Sequence, residues 1–175
     1  MKNKGNDNDN APCYILDSTV VIHILPSEET SKDNVNFLIP LNLKEEMRST
    51  KSNLTLSLLE TEDRIRFVAP SSDALSKARQ YAEESGDFPN LSTYDIDVIA
   101  LYFDYPESVI ISDDKAVQNV CVTHGIPFKA PLFKIRSKRK YYWKCIGCGG
   151  VFQTKMKECQ DCGSALKRKY SRSRV

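Results

Sequence analysis

Apolar runs of strand length alternate along the first three-quarters of the chain with segments whose apolar positions recur at helical spacing. Cys13 to Asp17 is a short apolar run ending in an acid and predicts a strand. Ser18 to Leu25 can begin a helix, with Ser18 or Thr19 near its N-cap and Pro26 helping to stop it. A charged loop, Ser27 to Asn34, precedes Asn36 to Pro40, which leads into a short helical stretch over Leu41 to Arg48. Ser52 to Thr61 predicts another helix, with Leu54, Leu58 and Leu59 on one side. Arg64 to Pro70 alternates polar and apolar as a strand does. Ser71 or Ser72 can cap a helix running to Ser85, and Gly86 stands where a left-handed residue ends it. Ser92 opens the next helix, with Asp95 in capping-box position and Ile96, Ile99, Ala100 and Phe103 as its inner stripe. Ser108 to Ser112 is β-branched and again ends at acids, Asp113 and Asp114. A helix over Lys115 to His124, stopped by Gly125, and a last strand over Ile126 to Lys129 complete the pattern. Strands alternating with helices predict an α/β fold, a parallel sheet flanked by helices.

Charge divides the same chain differently. The net charge is only +2, yet Lys134 to Val175 holds 13 basic side chains against two acids, a net of +11, which leaves −9 on the first 133 residues. An acidic body with a basic end points to nucleic-acid or membrane contact. No membrane contact by a span is expected, because runs such as Val98 to Phe103 fall far short of the ~20 apolar residues a membrane helix needs. Residues 1–11 are polar and Asn-rich without an apolar leader core, so they read as a disordered tail on a cytoplasmic protein. The domain boundary is expected near Pro131 to Lys140, where the charge changes sign.

Two Cys-x-x-Cys units, Cys145 with Cys148 and Cys159 with Cys162, lie ten residues apart, and each is followed by Gly. Four thiolates at this spacing can close a tetrahedron around Zn²⁺, and with no open position the metal is structural. So short a segment cannot fold on a core alone, so metal binding should supply its folding energy. The expected layout is a first domain over 12–131, a basic linker over 132–142, a zinc ribbon over 143–166 and a basic tail over 167–175. Lys138, Arg139, Lys140, Tyr142, Lys144, Lys167, Arg168 and Lys169 mix cations with an aromatic and are the candidate RNA-binding residues, since cations neutralise phosphates and rings stack on unpaired bases. A solvated linker, a frayed terminus or a nuclear-entry signal are the other uses of such runs. Trp143 reads as ribbon core rather than a base platform.

In a parallel sheet the ligand crevice lies outside the carboxyl ends of the strands. Asp17, Asp113 and Asp114 fall there, and Glu46 and Asp95 lie near helix starts. Brought together, such acids would repel unless a hard divalent cation such as Mg²⁺ or Mn²⁺ neutralised them. Acids at strand ends and caps are also common as solvated residues, Asp95 above all. His23 and His124 read as structural or solvated, and Cys13 and Cys121 as buried thiols.

The segments Tyr14 to Ser18, Lys44 to Met47, Leu91 to Leu101 and Ser112 to Asn119 resemble the PIN-domain nucleases. With a zinc ribbon following, the chain is similar to the Nin-one-binding family, over about residues 12–165, in its short archaeal form. That resemblance implies a metal-dependent endoribonuclease that forms the 3′ end of small-subunit ribosomal RNA and leaves a 3′-hydroxyl and a 5′-phosphate. It implies Asp17, Glu46 (ahead of Glu45), Asp95 (ahead of Asp97) and Asp114, with Asp113 as near alternative, as catalytic Mg²⁺ or Mn²⁺ ligands. Ser18 and Ser112 occupy small hydroxyl positions beside them. Pre-ribosomal RNA and assembly factors are the implied partners. The alternatives are a toxin-like PIN ribonuclease acting on tRNA or mRNA, and a non-enzymatic RNA-binding assembly factor.

Overall fold

A computed structural model describes residues 12–23, 35–43 and 65–175. The expected N-terminal tail, the charged loop, the helix over Ser52–Thr61 and the helical stretch beyond Leu43 lie outside the described residues, and with them Glu45 and Glu46.

Five strands form one parallel sheet: β1 (Cys13–Leu16), β2 (Asn36–Pro40), β3 (Ile65–Val68), β4 (Val109–Ile111) and β5 (Phe128–Lys129), in the order β3-β2-β1-β4-β5. The helices are α1 (Ser18–His23), α2 (Ser72–Ser85), α3 (Thr93–Asp104) and α4 (Lys115–His124), with a 3-10 turn at Phe88–Asn90. The sheet forms because its strands are apolar on both faces: Ile15, Leu38, Ile39 and Ile110 are fully buried. Burial of each such side chain stabilises by about 1.5–3 kcal/mol. In α2 the buried stripe is Ala74, Ala78 and Ala82, small residues that let α2 and α3 lie close. From α3 come Ile96, Val98, Ile99, Ala100 and Leu101, whereas Phe103 is only partly buried and meets Tyr81 edge-on at 5.1 Å. The caps follow the sequence: Ser71 accepts from the Ala74 amide, Ser92 and Asp95 close a capping box, and Gly86 and Gly125 end their helices in the left-handed conformation. No described helix is long and apolar enough to cross a membrane.

The second sheet was not legible in the sequence. Strands β6 (Ser137–Cys145), β7 (Val151–Phe152) and β8 (Leu166–Arg174) pair antiparallel in the order β7-β6-β8, with Ser137 opposite Arg174 and Cys145 opposite Leu166. Much of what reads as a basic linker, and nearly all of the basic tail, is therefore one long two-stranded ladder that continues into the cysteine knuckles. Like charges directly across a ladder repel. Here Arg139 and Arg172, which are such a pair, both lie over the Tyr170 ring, at 5.1 and 5.2 Å, and the ring offsets part of that repulsion.

The second sheet packs on the end of α2 at Gly86, where the Tyr141 side chain meets the Gly86 backbone. The Gly86 φ is +79°, and a Cβ there would stand 2.6 Å from the Tyr141 Cβ. The Arg168 guanidinium donates to the Gly86 carbonyl and covers the Tyr141 ring at 3.8 Å. Gly86→Ala should therefore cost at least the ~1–2 kcal/mol of a left-handed alanine and also push β6 off α2. A calorimetric scan should show a lowered Tm, and tryptophan fluorescence should report a changed Trp143 environment; a Tm equal to wild type would refute the contact.

Candidate active site

The order β3-β2-β1-β4-β5 reverses direction between β1 and β4, the place where open parallel sheets bind ligands. Asp17 follows β1 and Asp113–Asp114 follow β4, so adjacency of these strands brings their acids to one edge. The register is fixed past the strand ends by Asp17 N–H donating to the Ile111 carbonyl at 3.1 Å. Helix α3 is aimed at the same edge, since Tyr94 Oη donates to the Leu16 carbonyl at 3.1 Å. That places Asp95, in the first turn of α3, beside the other acids.

Asp17 is only 1% exposed. Its Oδ1 accepts from the Ser18 amide at 2.6 Å, and its Oδ2 accepts from Ser112 Oγ at 2.5 Å. Burial raises its pKa above the usual carboxylate value; the two serines pull it down, and Asp95 and Asp114 push it up. Asp95 is also raised, by burial and then by Asp114, against the hydrogen bonds from Ser92. Asp17, Asp95 and Asp114 thus feel one another electrostatically. Asp114 caps α4, with Oδ1 accepting from the amides of Ala116 and Val117 at 2.6 and 3.1 Å. Ser112 links the two strand-end acids, donating to Asp17 and accepting from the Asp114 amide at 3.0 Å.

Asp113 has a different place. Its Oδ1 accepts from the amides of Leu132 and Phe133, both at 2.9 Å, so it holds the segment leading out of the domain. Of the two adjacent acids, Asp114 is the one coupled to Asp17 and Asp95. Asp97 turns to Asn42, whose Nδ2 donates to it at 2.6 Å. Glu46 lies outside the described residues.

Two side chains quoted in the sequence motif without a role now have one. Gln118, fully buried, donates to the carbonyls of Ser112 and Phe133 and accepts from the Ile135 amide. Asn119 donates to Asp87 Oδ2 at 2.5 Å and to the Arg139 carbonyl, and accepts from the Arg139 amide at 2.6 Å. Asp87, 1% exposed, has a pKa raised by burial. A lone acid after a helix-ending glycine gives no sequence signal of this burial. His124 is structural, as expected: its ring stacks on Tyr81 at 3.9 Å and Nε2 lies 3.0 Å from the Tyr81 carbonyl. The buried Cys121 thiol is pushed up to about 12, and burial also raises Cys13.

Among the described residues, the cysteines Cys145, Cys148, Cys159 and Cys162 form the one group of metal-ligand type whose donor atoms all lie within 4.8 Å of one another. Cys145 and Cys162 sulfurs stand 3.5 Å apart, and Cys148 and Cys159 sulfurs 3.6 Å. Bonds of about 2.3 Å to a tetrahedral zinc imply sulfur–sulfur edges of about 3.8 Å, so the group is close to a closed four-thiolate centre. Gly149 and Gly163, each after a second cysteine, have φ of +78° and +70° and turn the chain under the sulfurs. The acids fit a hard cation by donor chemistry, three mutually repelling carboxylates at a buried edge, although they do not close to the same distance.

The candidate RNA-binding residues divide between two faces. Alternation along β6 and β8 puts Lys138, Lys140, Tyr142, Lys144, Lys167 and Lys169 on one face. Arg139 and Arg168 share the other face with Tyr141 and Trp143, and that face turns to the nuclease domain. Trp143 is partly buried there, under the Lys155 ammonium, and lines one cavity with Phe88 and Pro89.

Fold and site define a nuclease-type α/β domain carrying acids at its switch point, with a four-cysteine cluster attached that could hold a metal. Residues 14–104 match the family described as the PIN domain of ribonuclease, a span that stops before Asp114. The chain is 31% identical to Endoribonuclease Nob1 of Pyrococcus abyssi, over 87% of this chain and 91% of that protein. It is 28% identical to Ribonuclease VapC1 of Thermoplasma acidophilum, over 91% and 79%, and 30% identical to Endoribonuclease Nob1 of Methanothermobacter thermautotrophicus, over 75% and 81%. The chain belongs to the PIN-domain ribonucleases, and it is an RNA-cleaving enzyme.

Because burial raises the Asp17 pKa, the folded anion costs stability at neutral pH. Stability falls as pH rises from the ordinary value, about 3.9, through the raised folded value. Without added divalent ion, Asp17→Asn should therefore melt higher than wild type at pH 7, by about 2–4 °C for each kcal/mol recovered. The gap should close toward pH 4. A lower Tm for the variant at pH 7 would contradict the burial cost.

Proposed function

We propose that this chain is a metal-dependent endoribonuclease that hydrolyses a phosphodiester in precursor small-subunit ribosomal RNA to form its 3′ end. The observation that carries this reading is the four-cysteine centre built onto a PIN sheet, over a span that relatives named Endoribonuclease Nob1 share. A second reading is a toxin-like ribonuclease acting on tRNA or mRNA. It is favoured by the relative named Ribonuclease VapC1, which matches this chain over a similar length.

Asp17, Asp95 and Asp114, with Glu46, are the proposed ligands of Mg²⁺ or Mn²⁺, and the four cysteines those of a structural Zn²⁺. A bound divalent ion supplies a water of lowered pKa and neutralises charge building on the phosphate. The chain's own part is to hold the carboxylates still. Ser18 and Ser112 fix both Asp17 oxygens, Ser92 holds Asp95, and the α4 amides hold Asp114. The proposed products are a 3′-hydroxyl and a 5′-phosphate, and no protein nucleophile is required.

With Mn²⁺, the protein should cut an RNA spanning the small-subunit 3′ end at one position. Removing partners that only orient a metal ligand costs about 10–100-fold, so Asp17→Asn should lose at least that much. Equal cleavage by both proteins would sink the enzyme reading, and equal cleavage of unrelated RNAs would favour the toxin-like one. Cys148→Ser or zinc chelation should melt the knuckles over 145–166, seen as collapse of their amide resonances, while the resonances of β1 and β4 persist. Unchanged ribbon resonances in metal-free protein would refute a structural metal.

A further inference from the structure

A groove of about 540 Å³ joins the acid edge to the ribbon sheet. Asp114 and Lys115 at the start of α4 line it together with Arg136, Arg139, Arg168 and Arg172. Its other acid, Asp87, is 1% exposed and bonded to Asn119, so the accessible charge is mostly positive. The arginines of β6 and β8 are sorted onto this side, whereas the lysines of the same strands lie on the opposite face. Arg168 is committed to Gly86 and the Tyr141 ring, and Arg139 and Arg172 are spread over Tyr170. Among the described residues, Lys115 and Arg136 carry no ion pair or side-chain hydrogen bond.

We infer that this groove is the track for the cleaved strand: one RNA strand lies between α4 and the arginine face, with its phosphates on Lys115, Arg136 and Arg172. The inference rests on the nuclease reading. A phosphate at Asp17, Asp95 and Asp114 has neighbours on either side, and one of them must leave past Asp114, where the groove begins. Guanidinium groups match phosphate oxygens in pairs, and ammonium groups do not, which gives the sorting of arginine and lysine a use. The volume is that of a small-ligand pocket, room for a short length of one strand. The ribbon sheet is then one wall of the substrate channel. The lysine face is a different surface that the cleaved strand does not touch.

The test uses the full chain carrying Asp17→Asn, so that the strand stays whole, and a short single-stranded oligouridylate as probe. Binding is measured against salt for Arg136→Ala/Arg172→Ala and for a charge-matched control, Lys77→Ala/Lys157→Ala, whose side chains lie outside the groove. The groove pair should weaken binding at least ~10-fold, and its log–log salt slope should fall by about 1.4, the value for two lost contacts to a single strand. Photocrosslinks from 4-thiouridine, mapped to single residues, should fall on Arg136, Arg139, Tyr141 and Arg172. A loss no larger than the control's, crosslinks confined to Lys138, Lys140 and Lys144, or equally tight binding of a duplex would overturn the track. Cleavage is scored separately on the Asp17 protein. A failure there counts against the nuclease reading while the binding data still judge the groove.

Discussion

The molecule is organised around carboxylates placed where water is scarce. Asp17 has almost no exposure, and Asp95 and Asp114 sit close enough to raise its pKa further. Such an arrangement is unfavourable for the fold by itself, and the surrounding structure is arranged to hold it. Donors at two strand ends hold Asp17, a capping box holds Asp95, and a helix N-terminus holds Asp114. Ser112 is the shared member. Its hydroxyl touches Asp17 and the Asp114 amide, and its carbonyl receives Gln118. A small hydroxyl is required at that point, since any larger side chain would separate the acids it joins.

The same few residues extend the constraint beyond the nuclease domain. Gln118 and Asp113 hold the segment at 132–135, and Asn119 holds Arg139 on β6. Backbone groups left without partners where a chain leaves a domain are costly when buried. These side chains satisfy them, which makes the start of α4 a junction between two sheets as well as the place of a candidate metal-ligand acid. The arginine–tyrosine stacks then press the second sheet onto Gly86.

Much of the first sheet was legible because periodicity, caps and apolar runs are local signals, and all of them agreed over Ser71 to Lys129. Asp17 and Asp114 were legible as strand-end residues, Asp95 as a helix-start residue, and the cysteines by their spacing. Asn36 to Pro40 gave no alternation because β2 is buried on both faces next to β1. The pairing of β6 with β8 was hidden because two basic runs far apart in sequence give no local sign of each other. Charge argued for solvent, and only the alternation of arginine and lysine across a register could have shown two faces. The choice between Asp113 and Asp114 turned on which backbone each carboxylate faces, a question no linear pattern answers.

The ladder of β6 and β8 also sets the entropy of encounter with a polyanion. Basic tails usually search as loose polymers and lose their freedom when they bind. Here much of that freedom is already spent in folding, on paired strands, ring-stacked guanidiniums and a clamped connector. An arriving strand meets charges at fixed separations, so mismatched spacing is penalised rather than accommodated. On the proposed track, selectivity comes from stiffness: a rigid surface discriminates among nucleic acids by their shape before any base is read.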